Sequence, residues 1–255
     1  MLRALQCGVV GLMSLVVLGG VVAMPVTGNA KLKDPTQQNA TQSEKLAQAE
    51  AACDRVIARL HQTLDFHAVL DEMWVTDPML RDHLLRKVFE DVGANAAYDP
   101  RLAEQVVTSS FTTLYLLFQY EMDHKERPKE LQERLDRLDA AQTRARSKAR
   151  SSDLAIADLQ ESIDAANRAS AFLRSHLTPG HFDSALYKLS VQQDAALGKR
   201  HGFPRVLDKD TSLGLDQGTP IYEVYRDGFC WDFIEENGQF RLMNVRLQFM
   251  SLGYL

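Results

Sequence analysis

The sequence lacks the short motifs by which many enzymes are recognised. It contains no Gly-x-Ser-x-Gly elbow, which positions the nucleophile of many hydrolases. It also contains neither a Walker phosphate-binding loop nor the glycine-rich dinucleotide fingerprint. No Cys-x-x-Cys pair occurs. The sequence therefore predicts no cofactor, and none of its motifs indicates catalysis.

Cysteine is scarce, and basic residues are not in excess. Of the three cysteines, Cys7 lies in the amino-terminal apolar stretch, which leaves Cys53 and Cys230. In an oxidising compartment these two are a candidate disulfide, whereas their apolar neighbours favour two buried thiols. The formal net charge of -5 argues against nucleic-acid binding, which usually shows a clear basic excess.

The amino terminus has the pattern of an export signal. Arg3 supplies one positive charge, and residues 4–26 carry none. Small residues near Ala23 and Ala30 offer two cleavage positions. The apolar stretch approaches the roughly 20 residues of a spanning helix. We predict that residues 1–30 are a signal peptide or an N-terminal membrane anchor, that only this segment contacts a membrane, and that the protein is periplasmic or secreted.

Behind this segment the chain first turns polar and then shows helical patterns. Residues 31–42 are polar, show no apolar period and predict a flexible tether. Helical signals dominate residues 43–200. Asp77–Pro78 and Asp99–Pro100 each place an N-cap acceptor before a proline, which is typical of a helix start.

A heptad pattern is the clearest periodic feature. From Leu131 to Leu173, apolar or small residues recur four and three apart without a phase break. The pattern predicts one long helix over about 128–176, with a hinge near Ser151–Asp153. Its seam is expected to pack on a protein partner, on a second copy of the chain or within the chain itself.

The last part of the chain has the pattern of a β-meander. Three segments within residues 218–250 are rich in aromatic and β-branched residues, and Asp227–Gly228 and Asn237–Gly238 separate them. Both dipeptides readily adopt the positive φ angles of two-residue hairpins. We therefore predict a mainly α (α+β) protein. Its helical bundle, with one long heptad-patterned helix, precedes a C-terminal three-stranded antiparallel meander packed on the helices.

The densest group of candidate catalytic residues is His176, His181 and Asp183. Histidine and aspartate are ligands of zinc and partners in hydrolysis. The group straddles a predicted helix end, where histidine also serves to bind terminal carbonyls. We keep the three as candidate catalytic residues and predict no metal.

A second candidate cluster is His61, His67, Asp71 and Glu72. The two histidines are six residues apart, which places them on different faces of a regular helix. The cluster forms only if the helix breaks between them.

The aromatic face of the predicted meander offers candidate ligand-binding residues. Phe229, Trp231 and Phe233 alternate on one side of the middle strand, and Tyr222 is a neighbour on the preceding strand. Such a face either lines a small apolar site against the helices or forms plain core.

Three functions follow from these patterns. The first is an exported, non-catalytic envelope protein that acts through helix-mediated interaction with a protein partner or with itself, at the 131–173 heptad face. The second is an exported binding module for an apolar small ligand held between sheet and helices. The third is a hydrolase or metal-dependent enzyme.

Overall fold

The computed structural model describes residues 35–124, 126–147, 152–178, 180–207, 215 and 219–247, with the backbone alone at 35–40 and 152. In this part of the chain the helices are α1 (Pro35–Thr63), α2 (Phe66–Met73), α3 (Pro78–Asp91), α4 (Pro100–Asp123), α5 (Lys129–Ala145), α6 (Ser152–His176) and α7 (Ala185–Arg200). The strands are β1 (Arg205–Leu207), β2 (Ile221–Arg226), β3 (Phe229–Glu236) and β4 (Gln239–Leu247). The predicted class, mainly α with a C-terminal antiparallel sheet, is confirmed.

Within the described ranges, no helix is both long enough and apolar enough to cross a bilayer. The predicted signal peptide or anchor, residues 1–30, lies outside the described residues.

Two helices begin where the aspartate–proline pairs predict. The Asp77 carboxylate accepts hydrogen bonds from the backbone N–H groups of Met79 at 2.8 Å and Leu80 at 3.1 Å. Asp99 caps α4 in the same way. These bonds satisfy first-turn donors that the helix itself leaves unpaired.

The first helix begins earlier than the sequence pattern indicates. It starts at Pro35, inside the predicted tether, and ends at Thr63, after which Leu64 has a φ of 51°. Proline is well tolerated in a first turn, and glutamine, alanine and lysine favour helix without an apolar partner. The start of the apolar period along the sequence therefore indicates where α1 begins to pack on the rest of the protein. It does not indicate where the helix itself begins.

The single long helix over 128–176 is not confirmed, because the chain forms the two helices α5 and α6. Arg134 Nη1 donates to the carbonyl oxygen of Arg168 at 3.1 Å, and Arg144 Nε donates to Asp158 at 3.0 Å. These contacts show that α5 and α6 run antiparallel as a hairpin. The apolar seam faces inward in both helices. Leu131, Leu135, Leu138, Leu159, Ile163 and Leu173 are at most 6% exposed, and Ile156 is partly buried.

The hairpin explains why an unbroken heptad phase was misleading. A seam that folds back at its middle brings its two halves face to face, so each half buries the face that a partner helix would bury. The middle of the seam, near Ala145, holds small residues that permit close approach at the end of α5.

The sheet has four antiparallel strands in the order β1-β2-β3-β4. The predicted meander corresponds to β2, β3 and β4, and its turns take positive φ at Asp227–Gly228 and Asn237–Gly238. Gly228 also leaves room for a ring, since a Cβ there would lie 2.6 Å from Phe118 Cζ. The prediction of three strands missed β1, a three-residue strand in a turn-rich stretch that carries no strand pattern.

One face of the sheet packs on the helices, and the other carries buried charges. Arg246 Nη2 lies 2.7 Å from Asp232 Oδ1 and also pairs with Glu223, which in turn pairs with Arg205. The Glu223 and Asp232 side chains are at most 4% exposed. Burial raises the pKa of Asp232, and the charge of Arg246 opposes that shift. Each of the four strands contributes one residue to this network of ion pairs. We call the network the charge ladder, and its members are Arg205, Glu223, Asp232 and Arg246.

Candidate functional site

An apolar cavity of about 90 Å³ lies between strand β4 and the helices α2, α3 and α4. Strand β4 lies at one edge of the sheet, and the residues after α2 bind its outer side. The Val75 N–H donates to the Leu242 carbonyl at 3.0 Å, and Trp74 Nε1 donates to the Met243 carbonyl at 3.2 Å. These bonds fix the indole of Trp74 as one wall.

Helical spacing turns one face of each helix toward this cavity. Phe66, Leu70 and Trp74 recur four apart, at the period that aligns side chains on one face. The other apolar lining residues are Leu84, Leu85 and Val88 of α3, Val106, Val107 and Phe111 of α4, and Leu242, Met243 and Val245 of β4.

A bulge in β4 shapes the strand side of the cavity. Leu242 pairs with Phe233 and Asn244 pairs with Asp232, so Met243 is an extra residue without an opposite partner. A bulge of this kind bends the strand and redirects a side chain. Leu242 and Met243 are consequently both buried, at 1% and 3% exposure.

The cavity has few polar groups. Among the described residues that line it, only Lys87, Ser110 and Asn244 are polar, and of these Lys87 alone is charged. Lys87, Val107 and Asn244 are partly exposed, whereas the other lining residues are buried. The cavity therefore opens to solvent on the side where these three residues lie.

The predicted aromatic residues form core instead of this cavity. Phe229 packs on Phe111 with ring centroids 5.3 Å apart, and Trp231 packs on the same ring at 5.8 Å. Tyr222 meets Phe240 edge to face at 5.0 Å. Phe233 lines a separate groove between α1 and the β3–β4 hairpin. The apolar cavity therefore lies beside the neighbouring strand β4, and none of the four predicted residues lines it.

The three candidate catalytic residues do not converge. Histidine 181 is buried, with Nδ1 2.6 Å from Asp123 Oδ2 and Nε2 3.1 Å from Gln119 Oε1. His176 is exposed and binds the carbonyl of Phe172. Asp183 is exposed as well, and the three side chains do not form a group with all donor atoms within 4.8 Å. The helix end between them turns His181 inward and leaves the other two in solvent.

The candidate disulfide is not formed, because Cys53 and Cys230 are both free and buried. Residues alternate sides along a strand, so Cys230 faces away from the helices that its neighbour Trp231 contacts. Burial raises the pKa of the Cys53 thiol well above its ordinary value and that of Cys230 to about 12. Both thiols therefore stay protonated at neutral pH.

The second predicted cluster is rearranged by a break in the helix. Because α1 ends at Thr63 and α2 begins at Phe66, His67 and Asp71 come to lie beside Glu104 of α4. In the described part of the chain, these three are the one group that could hold a metal ion. Arg81 lies 3.6 Å from Glu104, and His67 and Asp71 are about half exposed. The group is thus an ion-pair cluster in which the Arg81 guanidinium supplies the positive charge.

His61, the remaining histidine of that cluster, joins a buried polar network around Asp227. Tyr115 and Tyr187 each donate their hydroxyl to the Asp227 carboxylate at 2.9–3.0 Å. His61 Nε2 lies 3.1 Å from both hydroxyl oxygens. Since both hydroxyl protons point at the carboxylate, this nitrogen must be the donor.

The Asp227 network has the features of a structural hydrogen-bond network that holds elements together. It joins α1, α4, α7 and the β2–β3 turn, and Phe182 stacks on the His61 ring at 3.7 Å. Burial, and then the charge of Asp227, raises the pKa of Tyr115 and of Tyr187 well above the ordinary value. Two phenols that stay protonated and bonded supply neither a base nor a nucleophile near neutral pH.

Asp194, beside this network, should make stability depend on pH. Burial and the charge of Asp227 raise its pKa to about 6, against the hydrogen bonds that it accepts from Gly228 and Tyr225. Because the unfolded value is about 3.9, the folded state binds the proton more tightly. The stability that this proton confers is present below about pH 4 and lost as the pH rises through about 6.

We expect Asp194→Asn to remove this dependence. The free energy of unfolding of the wild type should fall relative to the variant between pH 4 and pH 7, by about 1–2 kcal/mol once partial exposure is allowed for. Urea titrations at intervals across this range measure the difference. Parallel pH profiles for the two proteins would contradict the expectation.

Comparison with protein-family models, with curated proteins and with solved structures finds no match for this chain.

The cavity residues carried a signal that strand-based reasoning missed. Phe66, Leu70 and Trp74 follow the helical period as well as any core residues do. Nothing in that period says whether the facing volume is filled. Tyr187 and Asp227 are separated by 40 residues and meet only through the fold.

Proposed function

We propose that the protein is a non-catalytic binding protein that takes the apolar end of a small ligand into the cavity beneath β4. The observation that carries the proposal is the lining, which is apolar except for three of the described residues and lies beside the edge strand β4. Binding sites of this kind are largely preformed, with few polar groups that orient the ligand. Lys87 is the one charged side chain among the described lining residues, so these residues offer no charged pair for acid–base chemistry.

The volume indicates which part of a ligand enters. An engineered apolar cavity of about 150 Å³ binds benzene, and drug-sized molecules occupy roughly 300–1,000 Å³. A cavity of about 90 Å³ is suited to the end of an alkyl chain. The rest of the molecule lies at the opening, where Lys87 favours an anionic head group.

Helix-mediated interaction at the 131–173 face has less support. The seam side chains that would contact a partner are buried inside the α5–α6 hairpin and against the rest of the bundle. Export stays a prediction from residues 1–30.

A brominated fatty acid tests the proposal, because Trp74 lies in the cavity wall. We expect 10-bromodecanoate, whose terminal bromine quenches fluorescence on contact, to quench Trp74 emission in a saturable way. Calorimetry on the same samples gives the affinity. Ser110→Leu places a larger apolar side chain in the cavity and should abolish quenching, and filling an existing cavity commonly stabilises by about 0.5–2 kcal/mol.

Two controls keep the result interpretable. Trp74→Phe should weaken the quenching strongly while calorimetric binding persists, because the other tryptophan, Trp231, is not among the residues that line the cavity. If Ser110→Leu does not fold well, Val107→Leu fills the same space from the half-buried side. Undiminished quenching in a folded, filled variant would rule out the cavity as the binding site.

A further inference from the structure

A second concave region lies between α1 and the β3–β4 hairpin. It has a volume of about 490 Å³ and shares no lining residue with the apolar cavity. This volume falls within the roughly 300–1,000 Å³ of small-molecule sites. We call it the hairpin groove.

The floor of the hairpin groove is apolar and rigid. Ala52 and Val56 of α1 meet Phe233 and Phe240 of the sheet, and all four are at most 9% exposed. Phe240 is held by its edge-to-face contact with Tyr222. A flat apolar or aromatic body placed on this floor would cover side chains that already have fixed positions.

Two arginines stand at the groove without a carboxylate partner. Arg241 Nη1 donates to the Glu72 carbonyl and Nη2 donates to Gln239 Oε1, both at 2.8 Å. Because these acceptors are neutral, they orient the guanidinium without neutralising its positive charge. Arg55, which is exposed, also lines the groove. Among the described residues, neither arginine makes an ion pair within 4.0 Å, whereas the carboxylate of Glu72, which also lines the groove, pairs with Arg59.

We propose that the hairpin groove binds a small molecule that carries one oxyanion group on an apolar body. A guanidinium presents N–H donors in a fork that matches carboxylate and phosphate oxygens. An oriented guanidinium loses less conformational freedom on binding than a free one. The described lining residues of the groove carry two positive charges and one negative charge, that of Glu72, which pairs with Arg59. The apolar floor excludes a bare inorganic ion as the best-fitting ligand. This site is independent of the proposed cavity function.

Calorimetry with 2-naphthoate on the full chain, at low ionic strength, tests the proposal. We expect 2-naphthoate to bind and its uncharged amide to bind at least tenfold more weakly. Arg55→Gln and Arg241→Gln should each weaken 2-naphthoate binding about tenfold or more. Arg168→Gln, at an exposed arginine away from the groove, removes the same charge and should leave the affinity unchanged.

Further arms separate the sources of the anion. Tighter binding of naphthyl phosphate than of 2-naphthoate would support the oxyanion site and identify phosphate as its preferred group. Binding of inorganic phosphate as tight as that of either aromatic ligand would overturn the proposal, because the floor would then contribute nothing. The absence of 2-naphthoate binding at millimolar concentration would overturn it as well.

Folding is controlled within the same set. Arg55 is exposed, so Arg55→Gln tests the charge even if Arg241→Gln disturbs the hairpin. Ser110→Leu should leave naphthoate binding intact, which distinguishes failure of the groove from failure of the cavity.

Discussion

Arg246→Met should destabilise the protein by about 3–5 kcal/mol, the loss typical of breaking a buried ion pair from one side. The substitution keeps an unbranched side chain of comparable length and removes the charge. Glu223 and Asp232 are then left buried with one fewer guanidinium, and Asp232 with no other ion-pair partner among the described residues. Urea unfolding at pH 7, followed by circular dichroism, measures the change.

Two companion variants make this test specific. Lys129→Met removes the cation of an exposed pair, whose partners are 92% and 54% exposed, and should change stability by less than about 1 kcal/mol. Arg246→Met combined with Asp232→Asn should be more stable than Arg246→Met alone, because the uncompensated charge is gone. A loss below about 1 kcal/mol for Arg246→Met would show that the charge ladder does not hold the sheet together.

Asp227→Asn should cost about 2–4 kcal/mol, since two hydrogen bonds to a buried charged acceptor are each worth about 1.5–3 kcal/mol and are not fully additive. The substitution is nearly isosteric, and asparagine tolerates the φ of 52° at this turn position. An amide nitrogen, however, cannot accept from Tyr115 or Tyr187. The loss therefore measures the network and not the turn.

The other hairpin supplies a matched control. Asn237 occupies the equivalent turn position with the same φ of 52°, and it is exposed. Asn237→Asp makes the reverse exchange and should alter stability by less than about 0.5 kcal/mol. Tyr115→Phe and Tyr187→Phe complete a double-mutant cycle, in which a coupling energy near zero would contradict a shared acceptor.

Local signals predicted much of the fold. Asp77 and Asp99 cap their helices as expected, and both hairpin dipeptides take the positive φ that their residues allow. Each of these features is decided by a few adjacent residues, so the sequence contains the whole argument. The start of α1 and the strand β1 escaped prediction because neither depends on an apolar pattern.

The long-range features could not be derived in the same way. A heptad seam from Leu131 to Leu173 satisfies a long helix and a hairpin equally well, and only the chain's path decides between them. Phe229 and Trp231 were expected to face either a ligand or core, and they face Phe111. The free volume beside Val245 depends on how three helices meet an edge strand. The sequence shows that the side chains of Cys230 and Trp231 point to opposite faces of the sheet. It does not show that α1 places Cys53 on the face that carries Trp231, so the absence of a disulfide could not be predicted.

The claim that the cavity receives an apolar chain is tested most directly by a crystal structure of the protein with 10-bromodecanoate. The anomalous signal of bromine locates the chain end without ambiguity. The proposal predicts a bromine peak among Trp74, Phe111 and Val245, with the carboxylate toward Lys87. A peak at another site, or a cavity without bromine at saturating ligand, would contradict the proposed function.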